Sequence, residues 1–331
     1  MPRIQPLLAL GITVLALIVV LLGAYTRLTG SGLGCPDWPG CYGQLSVPTG
    51  LPEAAQAWTE MVHRYAAGLL VVLVVAQAWL SWRTHGWRQP AALLMLAVIA
   101  LQALLGMWTV TLKVWPQVVT LHLLGGMATL CLAYLHWRRL RSAAMTAPSP
   151  PWLRRLAVLG VLVMALQVAL GGWTSTNHAG AICPALPGCG TVPWQALDFS
   201  NSVQLQQPLG PSYLAGSLPL AARAGLHMLH RLGAVALLMV LAALAWGLHR
   251  QGLRRHAGAL VIASLGQAVL GMASAVLAAP LPLALAHTGG AAALALVLVD
   301  ISHRLHLAPR AATRGTALAR WPRAALLRDA P

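Results

Sequence analysis

The stretch Leu7–Tyr25 reads LLALGITVLALIVVLLGAY and carries no charged side chain. A helix that crosses the hydrocarbon core of a bilayer needs roughly 20 mostly apolar residues, and this run has that length. It exceeds the ~7–15 apolar residues of a secretory signal, and Gly23-Ala24-Tyr25 is a poor cleavage site. It therefore reads as a retained first span. Outward from it the pattern recurs, giving eight spans centred near residues 7–26, 61–81, 90–110, 118–137, 155–174, 225–247, 257–277 and 283–302. The sequence predicts an all-α integral membrane protein.

Composition agrees. Of 331 residues, 58% are hydrophobic and only 8% charged, against about 25% charged in an average soluble chain. High apolar content and only five Cys exclude collagen-like, disordered and disulfide-scaffold classes. The formal charge is +16, from 22 Lys+Arg against six Asp+Glu. That balance would ordinarily raise nucleic acid as a partner. Here the cations lie between apolar runs and mark topology instead, so no nucleic acid is expected, only membrane lipid. Arg3, the connections after spans two, four and six, and the tail from Arg304 onward hold 17 of the 22 basic residues. Those connections carry Arg83, Arg88, Arg138, Arg139, Arg141, Arg154, Arg155, Arg250, Arg254 and Arg255. The opposite face keeps Arg27, Arg64, Lys113, Arg223 and Arg231. The positive-inside rule then places both termini in the cytoplasm and the long connections 27–59 and 175–223 outside. In a bacterium this is the inner membrane, with those loops in the periplasm.

The chain repeats itself. Gly23, Thr26, Gly32, Cys35, Pro36, Pro39, Gly40 and Cys41 recur 148 positions later as Gly171, Thr174, Gly180, Cys183, Pro184, Pro187, Gly188 and Cys189. Gln102, Gly106, Met107 and His122 recur at +165 as Gln267, Gly271, Met272 and His287, and His63-Arg64 recurs at +167 as His230-Arg231. The glycine pair Gly125-Gly126 returns as Gly289-Gly290, slipped by one. The changing offset places an insertion of about 19 residues in the second long outer loop. Two four-helix bundles of the same orientation are expected, as in parallel transporter repeats. The boundaries are residues 1–140 for the first half, 141–154 for a cytoplasmic linker, 155–305 for the second half and 306–331 for a basic cytoplasmic tail.

Twelve His occur. His85, His136, His249, His256, His303 and His306 fall at cytoplasmic span ends among arginines and read as interfacial or solvated; His178 lies in an outer loop. His63, His122, His230 and His287 differ, because each sits in the first turns of an even-numbered span and all share roughly one depth. Ionisable groups inside spans are costly and usually face the bundle interior, where they mark function. A zinc site would want four ligands, typically with Cys or carboxylate, and neither is at hand for each pair. Haem iron needs two axial ligands and a flat cavity between helices. Ala66, Ala67, Gly68, Gly125, Gly126, Gly233, Ala234, Gly289 and Gly290 follow these His and suit such a cavity; close helix packing explains small residues equally. Arg64 and Arg231 can reach haem propionates through charge-assisted hydrogen bonds or simply snorkel to the interface. Glu60 shares a helical face with His63, whereas its counterpart in the second half is His227. That one carboxylate suggests a reactive pocket and a passive one. The alternative is an acid placed favourably at a helix N-terminus. Cys35 and Cys41 share one outer loop and Cys183 and Cys189 the other, in a compartment where disulfides persist. Each pair is a structural staple or a redox couple. Cys131 reads as a core residue.

The run Thr29-Gly30-Ser31-Gly32-Leu33-Gly34-Cys35-Pro36-Asp37-Trp38-Pro39, with Glu60-Met61-Val62-His63-Arg64, resembles the haem A synthase family of cytochrome oxidase assembly. The resemblance covers essentially the whole chain. It implies conversion of haem O to haem A by oxidation of the C8 methyl group to a formyl group, through two water-derived hydroxylations. It also implies that His63 and His122 ligate the iron of substrate haem O, that His230 and His287 ligate that of a resident haem b, and that Glu60 assists catalysis. The first Cys pair resembles one implicated in that chemistry. The expected partner is haem O synthase, the product serves terminal oxidases, and a homo-oligomer stays open. The rival readings are a quinol-oxidising di-haem b cytochrome and a non-catalytic haem-handling assembly factor.

Overall fold

The computed structural model describes residues 4–85, 90–141 and 149–307. Arg3, Arg88, linker residues 142–148 and the tail beyond 307, with Arg310, Arg314, Arg320, Arg323 and Arg328, lie outside the described residues, as does the His85 side chain. Among the described residues, eight α-helices make up the fold: α1 (Ile4–Leu28), α2 (Ala54–His85), α3 (Pro90–Thr111), α4 (Pro116–Arg141), α5 (Pro151–Thr176), α6 (Leu220–Arg250), α7 (Arg254–Val276) and α8 (Leu281–Leu307), with a short 3-10 turn at Trp194–Ala196. All eight are long and apolar enough to cross a membrane. Among the described residues there is no sheet, only an isolated bridge between Cys41 and Gln44.

Proline punctuates the chain. Pro90, Pro116 and Pro151 open α3, α4 and α5, and Pro219 caps α6. Proline's fixed φ suits a first helical turn, where its missing N–H goes unneeded. The α3–α4 turn places Lys113 and Val114 at positive φ, and the α7–α8 turn does the same with Ala278 and Ala279. Each of these residues is held in the left-handed region that non-glycine residues rarely adopt.

In the first half, α1 packs on α2 and α4, and α3 on α2 and α4; in the second, α5 packs on α6 and α8, and α7 on α6 and α8. α1 and α4 meet α8, and α4 also meets α5. One apolar core runs through this junction, with Ile12, Leu130, Leu153, Leu241, Leu244, Leu298 and Ile301 buried. Large apolar side chains such as Val72, Leu162, Met239 and Ile262 are exposed on the outer faces, as lipid contact requires. At one end, Asp300 of α8 accepts from Arg138 and Tyr134 of α4 and from Arg304. At the other, Arg27 of α1 donates to the Ser175 carbonyl at 2.6 Å and meets His178 at 3.0 Å.

Two expectations change. α2 begins at Ala54 and not near residue 61, because one face of its first turns is buried beneath the preceding loop: Ala57 and Met61 pack with Cys35, Cys41 and Val47. His136 is not solvated. It is 3% exposed and hydrogen-bonded to Gln77 at 2.9 Å, a buried polar group satisfied by another.

Candidate active site

The four intramembrane histidines form two pairs. The rings of His63 on α2 and His122 on α4 have centroids 6.4 Å apart and planes 88° apart. Those of His230 on α6 and His287 on α8 are 6.5 Å apart at 81°. Each ring rests on a glycine of the preceding odd-numbered helix. A Cβ on Gly23 would lie 2.9 Å from the His63 ring, one on Gly106 3.3 Å from His122, one on Gly171 3.2 Å from His230, and one on Gly271 2.9 Å from His287. Glycine is needed there because any side chain would push the ring out of place.

Glu60 lies one turn before His63 and is 4% exposed. One carboxylate oxygen accepts the Cys35 backbone N–H at 2.9 Å; the other accepts from Arg64 at 2.5 Å. Arg64 also donates to the carbonyls of Asp37, Pro39 and Gly40. Cys35 and Cys41 form a disulfide that closes this loop, and Gly34 lets it approach α2, since a Cβ there would fall 2.6 Å from the Ala57 nitrogen. The Gly43 amide, with that of Tyr42, holds the Asp37 carboxyl below its usual range, against the opposing effect of burial. In the second half, Cys183 and Cys189 form the matching disulfide, and Arg231 donates to the carbonyls of Ala185, Pro187, Gly188 and Cys183. His227, in place of Glu60, is hydrogen-bonded to the Ala179 carbonyl at 2.8 Å. An acceptor bound to a loop N–H has been exchanged for a donor bound to a loop carbonyl.

The pairs fit a metal held by two axial ligands. Two metal–imidazole bonds of about 2.0–2.1 Å, each with roughly 1.2 Å from nitrogen to ring centre, span about 6.4 Å. No cluster of three or more His, Cys, Asp or Glu that could hold a metal occurs among the described residues. Any further ligands would have to come from outside these side chains, as a porphyrin would supply them. The family model of the cytochrome oxidase assembly protein, COX15-CtaA, matches residues 6–299. This chain belongs to that family. It is 39% identical to the haem A synthase of Shewanella oneidensis over 309 residues, covering 88% of this chain and 94% of that protein. It is 29% identical to the haem A synthase of Sphingopyxis alaskensis, over 89% of this chain and 90% of the other. A 93-residue stretch, 28% of this chain and 20% of its match, is 38% identical to a protohaem IX farnesyltransferase of Halobacterium salinarum.

The structure brings His63, His122, Glu60, Arg64 and the first Cys pair to one end of the first half, and His230, His287, Arg231 and the second Cys pair to the same place in the other. Cys131 is free and half-buried. Both arginines, expected at propionates, are committed largely to loop carbonyls. Sequence reading missed the glycine seats, although Gly23, Gly106, Gly171 and Gly271 all stood in the repeats. It also missed glutamines beside the histidines. Gln167 Nε2 lies 3.0 Å from His230 Nδ1 and donates to the His230 carbonyl at 2.9 Å. Gln267 Nε2 lies 3.4 Å from His287 Nε2 and donates to the His287 carbonyl at 3.0 Å. The recurrence of Gln102 as Gln267 was the available signal.

Proposed function

We propose that this chain is a haem A synthase, an oxidoreductase that converts the C8 methyl group of haem O into the formyl group of haem A. The observation that carries this reading is the asymmetry of two otherwise matching histidine pairs, of which only one has a buried carboxylate beside it. In this reading His63 and His122 hold the substrate's iron, and His230 and His287 hold that of haem b, whose reversible one-electron chemistry gives the removed electrons an outlet. The methyl carbon gains oxygen from water in two rounds, each releasing two electrons and two protons. The resulting geminal diol loses water to leave the formyl group. Carbon oxidation builds positive charge, which a fixed carboxylate stabilises in a site shielded from water. Both Glu60 oxygens already accept hydrogen bonds, which fits such a charge better than a base that must take up a proton.

The same reading divides the chain into a substrate half at 1–140, a linker at 141–154, a haem b half at 155–305 and a tail at 306–331. The halves are parallel repeats, both termini are cytoplasmic, and the disulfide loops face the periplasm of a bacterial inner membrane. Arg64 and Arg231 then stand on the outer side, where their remaining N–H groups can meet propionates. Haem O synthase is the proposed supplier, a link supported by the stretch similar to a protohaem farnesyltransferase. Co-expression with a haem O synthase followed by pigment extraction tests the function. Haem A or its hydroxylated intermediate is expected; recovery of haems b and O alone would overturn the proposal in favour of a di-haem cytochrome.

A further inference from the structure

The seats under the four histidines are not equal. Four residues before each seating glycine on the odd-numbered helices stand Val19, Gln102, Gln167 and Gln267; three residues after each histidine stand Ala66, Gly125, Gly233 and Gly290. In three seats the glutamine side chain lies over the facing glycine so closely that a Cβ would fall within 1.8 Å of Gln102, 2.3 Å of Gln167 and 2.3 Å of Gln267. Gln167 and Gln267 use this position to hydrogen-bond the backbone carbonyl of the histidine on the next helix. The seat of His63 has neither partner, because valine replaces the glutamine and alanine the glycine. His63 Nδ1 is buried with no partner, as are His122 Nδ1 and His287 Nδ1; what sets the His63 seat apart is that no glutamine occupies it. Gln102 Nε2 also has no partner.

We infer that Gln167 and Gln267 are positioning residues that pin α5 to α6 and α7 to α8 at the depth of the ligands, and that the unpinned α1–α2 contact at Val19 and Ala66 makes His63 the ligand through which the first pocket opens and exchanges its haem. Partners that orient a ligating imidazole govern how tightly the metal is held. Two clamps in the second half suit a resident group; their absence at His63 suits a pocket that must admit substrate and release product. The inference rests on the proposal that each histidine pair holds one haem.

The test loads the full-length protein in nanodiscs with haem b in both pockets and follows transfer to excess apomyoglobin by absorbance. Two phases are expected, and His122→Ala should abolish the faster. Val19→Gln with Ala66→Gly should slow that phase by roughly ten-fold, the factor supplied by one added hydrogen bond of ordinary net worth. Val19→Leu with Ala66→Gly, which adds bulk without an amide, should not slow it. Gln167→Leu should accelerate the slower phase by a similar factor, and Gln167→Glu, which keeps the shape but has no donor for the carbonyl, should not restore it. If His122→Ala spares both phases, the reading of the pockets fails. If it abolishes the fast phase but the Val19→Gln, Ala66→Gly protein exchanges as fast as wild type, or its leucine control slows equally, the clamp inference alone is overturned.

Discussion

On the reading that His287 ligates a haem iron, adding one methyl group at Gly271 should displace that ligand with no change in charge. A Cβ there would stand 2.9 Å from Cε1 and 3.4 Å from Nδ1 of His287. Non-bonded carbons are comfortable at about 3.5–4.0 Å, so the ring must retreat by roughly 0.6–1 Å. Metal–ligand distances hold to within about 0.2 Å, so Gly271→Ala moves the ring several times further than a bond tolerates. The protein should lose its six-coordinate low-spin spectrum in the second pocket and retain less than half its haem b after purification. Gly266→Ala is the control: it lies on the same helix, and a Cβ there meets nothing within 4 Å. Replacing a helix glycine by alanine is itself stabilising by roughly 0.5–1 kcal/mol, so general unfolding is not the expected outcome of either change. The measurements are the reduced-minus-oxidised spectrum and haem per chain by pyridine haemochrome. A Gly271→Ala protein with an unchanged low-spin spectrum and full haem content would refute the argument that the glycine seats set the ligand positions.

Further outcomes follow from the first half. Glu60→Gln keeps the shape and the Cys35 contact but removes the charge, and should lower haem A formation by about 10²–10³-fold with His63 and His122 still able to bind haem; normal haem A yield in cells would dismiss Glu60 from catalysis. Each disulfide closes a short loop, with a sequence separation of 6, and chain entropy sets its contribution at about 2 kcal/mol. Replacing both cysteines by serine should cost similar thermal stability in either loop. Only the Cys35→Ser, Cys41→Ser protein should also lose activity, since Cys35 presents the N–H that holds Glu60; equal activity losses in the two double variants would count against it. The Asp37 carboxyl is held below its usual range chiefly by the Gly43 amide, so its contribution is complete above the ordinary aspartate value of about 4 and fades as pH falls through the lowered one. Hydrogen exchange at Tyr42 and Gly43 should be pH-independent in protection between about pH 5 and 8 and lose protection in stronger acid, and Asp37→Asn should abolish that step.

The spans were legible because bilayer thickness imposes a length that hydropathy detects directly. The histidines were legible because duplication made four coincident depths out of what would otherwise be isolated residues. Helix starts were less so. Ala54 and Leu220 open α2 and α6 above the apolar runs, where the loops and not the lipid bury the backbone, and hydropathy has no access to that packing. His136 was misread for a similar reason: a basic neighbourhood in sequence, Arg138 and Arg139, suggested solvent, while Gln77 waits on another helix. The glycine seats were visible as recurring letters, yet their purpose depends on which ring leans on which helix. That is a property of pairing between odd and even spans.

The added length of the second outer loop ties the two halves of the chain together. The inserted segment does not lie over its own half alone. Tyr213 N–H donates to the Lys113 carbonyl at 3.1 Å, Lys113 Nζ to the Gly210 carbonyl at 3.1 Å, and Gln117 to the Leu205 carbonyl at 2.8 Å, so the loop grips the α3–α4 turn of the first half. Arg27 adds a tie from α1 to Ser175 on the same side, and Asp300 joins α4 to α8 at the opposite end. The elements these contacts fix are α1, the α3–α4 turn, α4, α5 and α8. α2, which carries Glu60 and His63, makes no contact with another half among the principal helix pairings and is held by α1, α3 and the Cys35–Cys41 loop. α3 shares this isolation from the helices of the other half, its principal pairings being with α2 and α4. On the proposed function, the pocket that exchanges its occupant would then be bordered by a helix with no direct tie to the half that keeps its own.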